Sequence, residues 1–500
     1  MSSTPVLRQD RPSFLATPRG KLTLLLLCGA AFLDFVDASI VNVALPAIRK
    51  DLHFSASGLP WVPSGYLLTY GGLMLLGGRA ADLFGRRRIL ISGTAVFAVA
   101  SFAGGVATTG GLLVTARLVQ GAGAAMMLPA ALSLLTTLFT EGKDRNTALG
   151  VWGAVGGLAA AVGVLAGGFL TQGPGWRWVM FVNVPVAALV LFGVYRLIDG
   201  EAKRPRISRL DLLGAALVTA GMLLLVYTLV EAPDRGWGSG WTIFGFVSTV
   251  VLLAAFVVNE QLVRDPLIPF SIFRVRGLVA ANITQMVAIA GMYSMFFFLT
   301  LYMQNVLNYS PIRTGLSYVP VTVGVAVGAG ITSQLITRIG ARPVTVLGTL
   351  IAGSGVYLLS RMPVDGSYLT DLLPGLVVMS LGLGTVLVAV TTAANAGVHA
   401  RQAGLAAALL SASQQIGGAV GIAVLTSIAT SHTNDLVKHG HTLAAASTSG
   451  FARALLLGSL LLFGAAAIAL RISNSHGEHT PAAESETDPT DLPTSAPIAQ

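Results

Sequence analysis

AFLDFVDASIVNVALP, residues 31–46, places two acidic residues inside an apolar run that begins at Leu22 and is long enough to cross a bilayer. A charged side chain near the centre of a membrane costs about 2.5–3.5 kcal/mol on insertion scales. Asp34 and Asp37 are three positions apart, so a helix carries both on nearly the same face. Because the chain tolerates two such groups on one face, we expect them to bind a proton or a cation reversibly.

The composition is that of a chain that crosses the membrane many times. Hydrophobic residues make up 54%, charged residues 11%, and the mean hydropathy is +0.74, whereas soluble domains carry about 25% charged residues. The alternating pattern of a membrane β-barrel is absent, so we predict an all-α polytopic membrane protein with fourteen transmembrane helices. The predicted spans are residues 22–46, 58–78, 88–108, 111–138, 146–171, 177–196, 210–230, 241–259, 278–303, 314–335, 343–360, 370–395, 402–430 and 452–470.

The excess of basic residues is explained by membrane topology. The net charge is +9. If the first terminus is cytoplasmic, Lys and Arg are roughly threefold more frequent in the inside segments than in the outside segments, as the positive-inside rule describes. We therefore expect both termini in the cytoplasm, contact with the lipid bilayer and no nucleic-acid partner. The first span shows no signal-peptide cleavage pattern, and Cys28 is the only cysteine, which excludes an internal disulfide.

A weak internal repeat divides the chain. Residues 78–87, GRAADLFGRR, align with residues 333–342, SQLITRIGAR, which places Gly85 on Gly340. Each stretch follows the second span of a six-span set, so we predict two parallel six-helix bundles with two inserted helices between them. The predicted units are a cytoplasmic N-terminal segment (1–21), an N-terminal six-helix bundle (22–200), two linker helices (201–276), a C-terminal six-helix bundle (277–471) and a disordered cytoplasmic tail (472–500).

The sequence carries no signature of ATP use or of metal chemistry. A G-x-x-x-x-G-K-[ST] run, an H-E-x-x-H run and a cysteine pair are all absent, so we expect no enzyme, no cofactor and no metal. His432, His439 and His441 lie in a predicted external loop, 431–451, where solvated side chains are expected and metal binding is the alternative. Two alternatives of another class are a non-transporting membrane sensor and an intramembrane enzyme. An intramembrane aspartyl protease needs a G-x-G-D motif, which is missing, and a sensor would carry a soluble domain, whereas no loop exceeds about 20 residues.

Arg117 lies about two turns inside the fourth apolar segment, in TARLVQGAGAA, and needs a counter-charge or a polar cavity. Asp34 or Asp37 is the candidate partner. A buried ion pair that only fixes helix packing is one interpretation. Proton coupling is the other, and we favour it because two acids for one arginine leave an unpaired carboxyl group. Burial favours the protonated form of a carboxyl group and a nearby cation favours the ionised form, so such a pair can load and release protons.

Glycines thread the fifth span, where Gly163, Gly167 and Gly168 allow a close approach of helix backbones. Static packing and sliding contacts between the two halves explain these glycines equally well.

Polar and large apolar side chains in the spans predict a cavity for amphipathic organic molecules. The ninth span contains MYSMFFFLTLYMQ, which is rich in aromatic residues and methionine, and a sugar site would need a denser polar lining. Core packing or lipid contact is the alternative for any single residue. The candidate cavity residues are Asn42, Gln120, Asn282, Gln285, Tyr293, Phe297, Gln304 and Gln414.

Four stretches together resemble the major facilitator superfamily and, within it, the fourteen-span drug:proton antiporters of the multidrug and antibiotic efflux type. They are LDFVDASIVNVALP (33–46), GRAADLFGRRR (78–88), RLVQGAGAA (117–125) and WRWVMFVNVP (176–185). The resemblance extends over about residues 22 to 470. It implies the major facilitator fold, with two six-helix bundles and two inserted helices.

The resemblance also implies roles for the matched residues. Asp37 takes the place of the family's acid and would be protonated, Arg117 would support proton transfer, and Asp34 is not a fixed family position. The loop after the second span would form a cytoplasmic latch that opens and closes with alternating access; its residues are Gly78, Asp82, Gly85, Arg86 and Arg87. The antiporter motif of helix five normally reads G-P-x-x-G-G, and here Val164 stands where proline would bend the span.

The expected function is therefore proton-coupled secondary active export across a bacterial inner membrane. Protons would occupy Asp34 or Asp37 in turn, and a hydrophobic or cationic drug or antibiotic would leave in exchange. A dedicated exporter of one endogenous metabolite or self-made antibiotic is the alternative within this class. A monomer is expected.

Overall fold

The computed structural model describes residues 14–55, 58–139, 143–199, 211–264, 266–268, 270–275, 277–396, 398 and 403–475. Fourteen long helices run through these described residues, and the strand content of the same residues is nil. The helices are α1 (Pro18–Asp51), α2 (Trp61–Phe84), α3 (Arg86–Gly105), α4 (Gly110–Leu138), α5 (Lys143–Gln172), α6 (Arg177–Leu197), α7 (Leu212–Arg235), α8 (Gly240–Leu262), α9 (Leu278–Asn305), α10 (Pro311–Ile339), α11 (Ala341–Leu359), α12 (Tyr368–Asn395), α13 (Ala403–Lys438) and α14 (Leu443–Ala469).

The predicted all-α membrane fold is confirmed. Twelve of the helices in the described residues are long and apolar enough to cross a membrane. The helices α2 and α5 complete the run but are not among those twelve, so the count of fourteen spans stays a prediction. Most of the predicted tail, residues 472–500, and most of the predicted N-terminal segment, residues 1–21, lie outside the described residues, and only 472–475 of the tail are described.

The sequence sets the helix ends through caps and glycines. The side chains of several N-cap residues accept a hydrogen bond from the first turn of their helix, and they include Thr17, Thr109, Asp211, Ser239 and Thr442. Gly85, with φ +99°, joins α2 to α3, and Gly340, with φ +87°, joins α10 to α11. Glycine adopts this conformation without strain. The two positions aligned in the repeat therefore have the same backbone role.

The predicted external loop 431–451 is wrong. The helix α13 continues to Lys438, and α14 starts at Leu443, because nothing interrupts the backbone before Gly440, which has φ +88°. His432 lies on α13, where its ring Nε2 is 3.0 Å from the Ser449 hydroxyl. His439 and His441 are left in or beside the short connection.

The helices pack as two sets of six with a pair between them. In the first set, α1 packs on α5 and α6, α2 packs on α4, and α3 packs on α4 and α6. In the second set, α9 packs on α13 and α14, α12 packs on α10 and α11, and α11 packs on α14. The helices α7 and α8 pack on each other, and α7 also contacts α2 and α13. The pair is thus attached along the boundary between the two sets.

The two sets touch along α2 with α13 and along α5 with α10. We name the end of the bundle where α1 begins the near end and the end where α1 finishes the far end. Contacts between the sets lie towards the far end: Ser64 reaches Ala419, and Gly168 of α5 lies against Pro311 at the start of α10. Gln304 of α9 donates to the Val43 carbonyl of α1 at 2.9 Å. The sets are therefore joined in the far half of the bundle.

Candidate functional site

Asp37 lies at the centre of a buried polar network in the first set of helices. Its carboxylate Oδ2 accepts from Arg117 Nη1 at 2.5 Å. Its Oδ1 accepts from Gln120 Nε2 at 2.9 Å and from Asn183 Nδ2 at 2.7 Å. Asp37 is 0% exposed and Arg117 is 1% exposed. The Asp37 carboxylate is thus fully hydrogen-bonded and compensated by a cation inside the bundle.

Arg117 also contacts α2 through the parts of its guanidinium group that do not bind Asp37. Its Nε donates to the Val62 carbonyl at 3.1 Å, and its guanidinium carbon lies 4.3 Å from the centre of the Tyr66 ring. Nη1 also donates to Gln120 Oε1 at 2.7 Å. Removing either member of a buried ion pair leaves an uncompensated charge in the bundle, whereas each charge is compensated when the pair is intact. Arg117 therefore depends on Asp37 as strongly as Asp37 depends on Arg117.

Two members of the network were missed as site residues from the sequence. Asn183 begins the second part of α6 after a break at Val182, and its side-chain amide also donates to Ser101 Oγ at 3.0 Å. Ser101 of α3 in turn donates to the Met180 carbonyl at 2.8 Å. The sequence pattern that could have identified Asn183 is its position in WRWVMFVNVP, whereas no pattern in the sequence points to Ser101. Through these residues the network joins α1, α2, α3, α4 and α6.

Asp34 has a different environment from Asp37, although both acids are buried. The Tyr66 hydroxyl donates to Asp34 Oδ1, and the Tyr70 hydroxyl donates to Oδ2 at 3.4 Å. In the described part of the chain no salt bridge joins Asp34 to a cation. Tyr66 and Tyr70 are four positions apart on α2, which places both on one face, and this spacing was available in the sequence. Asp34 is thus held by two neutral donors.

Asp34 faces the boundary with the second set of helices. On α2, Tyr70 is followed by Gly71, where an added Cβ would lie 3.0 Å from the Gln415 side chain of α13. On the neighbouring residue, Gln414 Nε2 lies 3.3 Å from the Tyr293 hydroxyl, and Gln414 Oε1 accepts from Gln285 Nε2 at 3.3 Å. A line of polar side chains therefore runs from Asp34 through α2 to α13 and α9.

The structure brings together only part of the predicted cavity set. Gln285, Tyr293 and Gln414 are joined by hydrogen bonds, and Asn282 accepts nearby from Ser413 at 3.0 Å. The other members are placed elsewhere. Gln120 belongs to the Asp37 network, Phe297 packs on Phe298, Gln304 closes the far end, and Asn42 donates to the Ala38 carbonyl of its own helix. The role of each as a cavity residue stays a prediction.

The predicted latch lies at the near end. Arg86 is 3.6 Å from Asp82 and also contacts Thr137 of α4. Arg87 donates to the Tyr195 carbonyl of α6 at 2.8 Å. Gly78 lies closest to Pro129 of α4. These contacts all stay within the first set of helices, so the latch arginines brace their own set.

The three helix-five glycines divide between two contacts. A Cβ on Gly163 would lie 2.8 Å from the Val36 carbonyl, and one on Gly167 would lie 2.7 Å from the Ile40 carbonyl, so both pack on α1. A Cβ on Gly168 would lie 2.7 Å from the Pro311 carbonyl of the second set. The Val164 carbonyl faces Gly315 of α10 in the same contact. Only Gly168 among the three lies between the two sets.

Comparison with known proteins gives consistent matches over most of the chain. The model of the Major Facilitator Superfamily matches residues 27–422. The chain is 41% identical over 440 residues to puromycin resistance protein pur8 of Streptomyces alboniger, covering 87% of this chain and 86% of that protein. It is 39% identical over 422 residues to cephamycin export protein CmcT of Amycolatopsis lactamdurans, covering 84% and 87%. A bacterial homologue of the human lysosomal transporter Spinster, solved inward-facing and unoccupied, shares the fold with a TM-score of 0.65 at 18% identity, covering 91% of this chain and 97% of that one.

The Asp37–Arg117 pair predicts a test by paired neutralisation. We expect Asp37→Asn or Arg117→Gln alone to lower the stability by about 3–5 kcal/mol, because each leaves one buried charge uncompensated. The double variant D37N/R117Q removes both charges and should lose less than either single variant. The measurement is the thermal unfolding midpoint in detergent. Equal or additive losses in the double variant would contradict the pairing.

Gly168 predicts a shift in how the two sets meet. Gly168→Ala places a methyl group against the backbone of Pro311, so we expect the far-end contact to open. Gly150→Ala is the matched control on α5, because no atom lies within 4 Å of a Cβ there. Electron paramagnetic resonance between spin labels at His53 and Asn308, in the far-end connections, reports the separation. Unchanged distances in Gly168→Ala would show that this contact does not set the spacing of the sets.

Proposed function

The chain belongs to the Major Facilitator Superfamily, and on this premise we propose that it is a proton-coupled exporter of hydrophobic or cationic compounds, antibiotics in particular. The chain covers most of two relatives whose names state puromycin resistance and cephamycin export. The subfamily that this implies is the fourteen-span drug:proton antiporters. It is a transporter and not an enzyme.

One observation carries the proposal, namely that two buried acids on one helix have unequal partners. Asp37 is compensated by Arg117, whereas two tyrosine hydroxyls hold Asp34. A buried carboxylate that lacks a cation is costly, and protonation removes that cost. Asp34 is therefore the better carrier of an exchangeable proton, and Asp37 is the better anchor. This assignment differs from the family-based expectation, which gave the proton to Asp37.

Alternating access connects this proton to the cargo. We assign the first set of helices to residues 22–200 and the second to residues 277–471, with the near end in the cytoplasm. The far-end contacts then close the outer side, and the cargo enters from the cytoplasm. Ionised Asp34 favours this state because Tyr66 and Tyr70 donate to it. Once the outer side opens, a proton from outside neutralises Asp34, weakens these hydrogen bonds and favours release of the cargo.

The latch and the glycines fit the same cycle. When the outer side opens, the near ends of the two sets approach each other, and the end of α2 that carries Asp82 and the start of α3 that carries Arg86 and Arg87 lie at that end. We propose that these arginines exchange contacts within their own set for contacts with the second set. The surroundings are the inner membrane of a bacterium, both termini are cytoplasmic, and the protein acts as a monomer.

A dedicated exporter of a single compound is the second candidate. The two relatives named above carry the names of single antibiotics, which favours this narrower function. Resistance profiles of expressing cells separate the two candidates. Protection against unrelated compounds supports broad export, and protection against one compound supports the specialist.

The proton role of Asp34 predicts the outcome of an exchange assay in everted vesicles. We expect Asp34→Asn to abolish proton-driven uptake of a transported compound while leaving the protein folded, because an amide cannot take up the proton. Asp211→Asn is the matched control. Asp211 is also buried, at 6% exposed, but it caps α7 in the inserted pair, and asparagine is an equally good cap.

The assay has three distinguishable outcomes. Coupled transport in Asp34→Asn equal to that of the unchanged protein contradicts the proton role of Asp34. Loss of transport in Asp211→Asn as well would mean that the loss in Asp34→Asn is not specific to Asp34. Energy-independent exchange that survives in Asp34→Asn, with loss of the proton-driven component, is the expected pattern.

A further inference from the structure

A groove of about 730 Å³ lies at the near end, where the inserted helices lead into the second set. The short helical turn Phe270–Arg274, the first turns of α9 and the last turns of α14 form its walls. It lies on the outside of the bundle and away from Asp34 and the polar line across the sets. The proposed transport cycle does not use it.

Two arginines line this groove from distant parts of the sequence. Arg274 ends the short turn, and Arg471 follows α14. Both are exposed, and among the described residues neither forms a salt bridge with an acid. The groove thus carries two guanidinium groups whose charge is not compensated within the described chain. Guanidinium groups bind phosphate oxygens through paired, charge-assisted hydrogen bonds.

The rest of the groove is apolar and faces outwards. Phe273, Val279 and Ile283 are 36%, 39% and 38% exposed, which is the surface that a membrane helix presents to lipid. Val275, Ala280, Ala467 and Ile468 complete the lining. Cations at the helix ends beside an apolar wall along the helices match a phospholipid, whose headgroup and acyl chains have this same order.

We infer that this groove binds an anionic phospholipid, with its phosphate between Arg274 and Arg471 and its acyl chains along Phe273, Val279 and Ile283. The acidic end of the chain, which carries Glu478, Glu484 and Glu486, also complements the arginines in charge. The lipid is favoured because the groove walls are apolar and that end is rich in Ser, Thr, Pro and acids.

The bound lipid has a structural consequence. It bridges the segment that leaves the inserted helices and the end of α14. Gly277, with φ +83°, starts α9 in contact with Ser473 beyond α14, so these segments already meet. A lipid in the groove fastens the inserted pair to the second set at the near end. Anionic lipid should therefore raise the thermal unfolding midpoint as well as bind.

The test uses the full chain purified in detergent and titrated with phosphatidylglycerol or phosphatidylcholine, with bound lipid counted by native mass spectrometry. We expect R274Q/R471Q to weaken phosphatidylglycerol binding about tenfold and to abolish the thermal shift, since each basic residue near a membrane surface attracts anionic lipid. The control R264Q/R338Q removes two exposed arginines from the same end but outside the groove. It should bind phosphatidylglycerol as the unchanged protein does.

Four results would overturn the proposal. Equal losses in both double variants would reduce the effect to general surface charge. Equal binding of phosphatidylcholine would show that the groove does not recognise the anionic headgroup. Displacement of phosphatidylglycerol by soluble glycerol phosphate at similar concentration would show that the acyl chains do not contribute to binding. Tenfold stronger lipid binding in E478Q/E484Q/E486Q would make the acidic end of the chain the resident occupant.

Discussion

The buried ion pair between Asp37 and Arg117 is the constraint on which the first set of helices depends. Taking two charges out of water is favourable only when each finds its counter-charge and its remaining hydrogen bonds. Here the carboxylate receives three donors from two helices and the guanidinium reaches the backbone of a third. Four of the six helices, α1, α2, α4 and α6, must therefore be placed correctly before the pair is satisfied, and Ser101 of α3 holds Asn183 in turn. Such a network specifies one packing and resists change during transport.

Because this network anchors α1 through Asp37, Asp34 is left available to exchange a proton. The two acids lie on one face of α1, and Tyr66 connects them, with its ring over Arg117 and its hydroxyl on Asp34. The fixed side of α1 holds the helix, and the other acid faces α2 and the second set of helices. A proton on Asp34 alters its hydrogen bonds to Tyr66 and Tyr70 of α2, the helix that contacts the second set, without disturbing the anchor. The helix-five glycines show the same separation, because Gly163 and Gly167 pack within a set and Gly168 packs between the sets.

The sequence was sufficient for the fold and for the buried charges Asp34, Asp37 and Arg117, but it did not single out the buried acids Asp211 and Glu260. Apolar runs of bilayer length, basic residues at alternate ends and the pair of glycines Gly85 and Gly340 are local patterns, and the structure contains each of them. It could not decide which acid faces Arg117, because that depends on the relative rotation of α1 and α4. Ser101 gave no signal, since a lone serine in a span is ordinary. The length of α13 was underestimated because polar residues beyond the bilayer end a hydropathy run but do not end a helix.

The division of labour between the two acids is tested most directly by pH-difference infrared spectroscopy of the purified protein. A carboxyl group that takes up a proton shows a new C=O stretching band on acidification. We predict that this band is present in the unchanged protein, disappears in Asp34→Asn and persists in the folded fraction of Asp37→Asn. Loss of the band in Asp37→Asn with its persistence in Asp34→Asn would contradict the account, because Arg117 would then compensate the exchanging group.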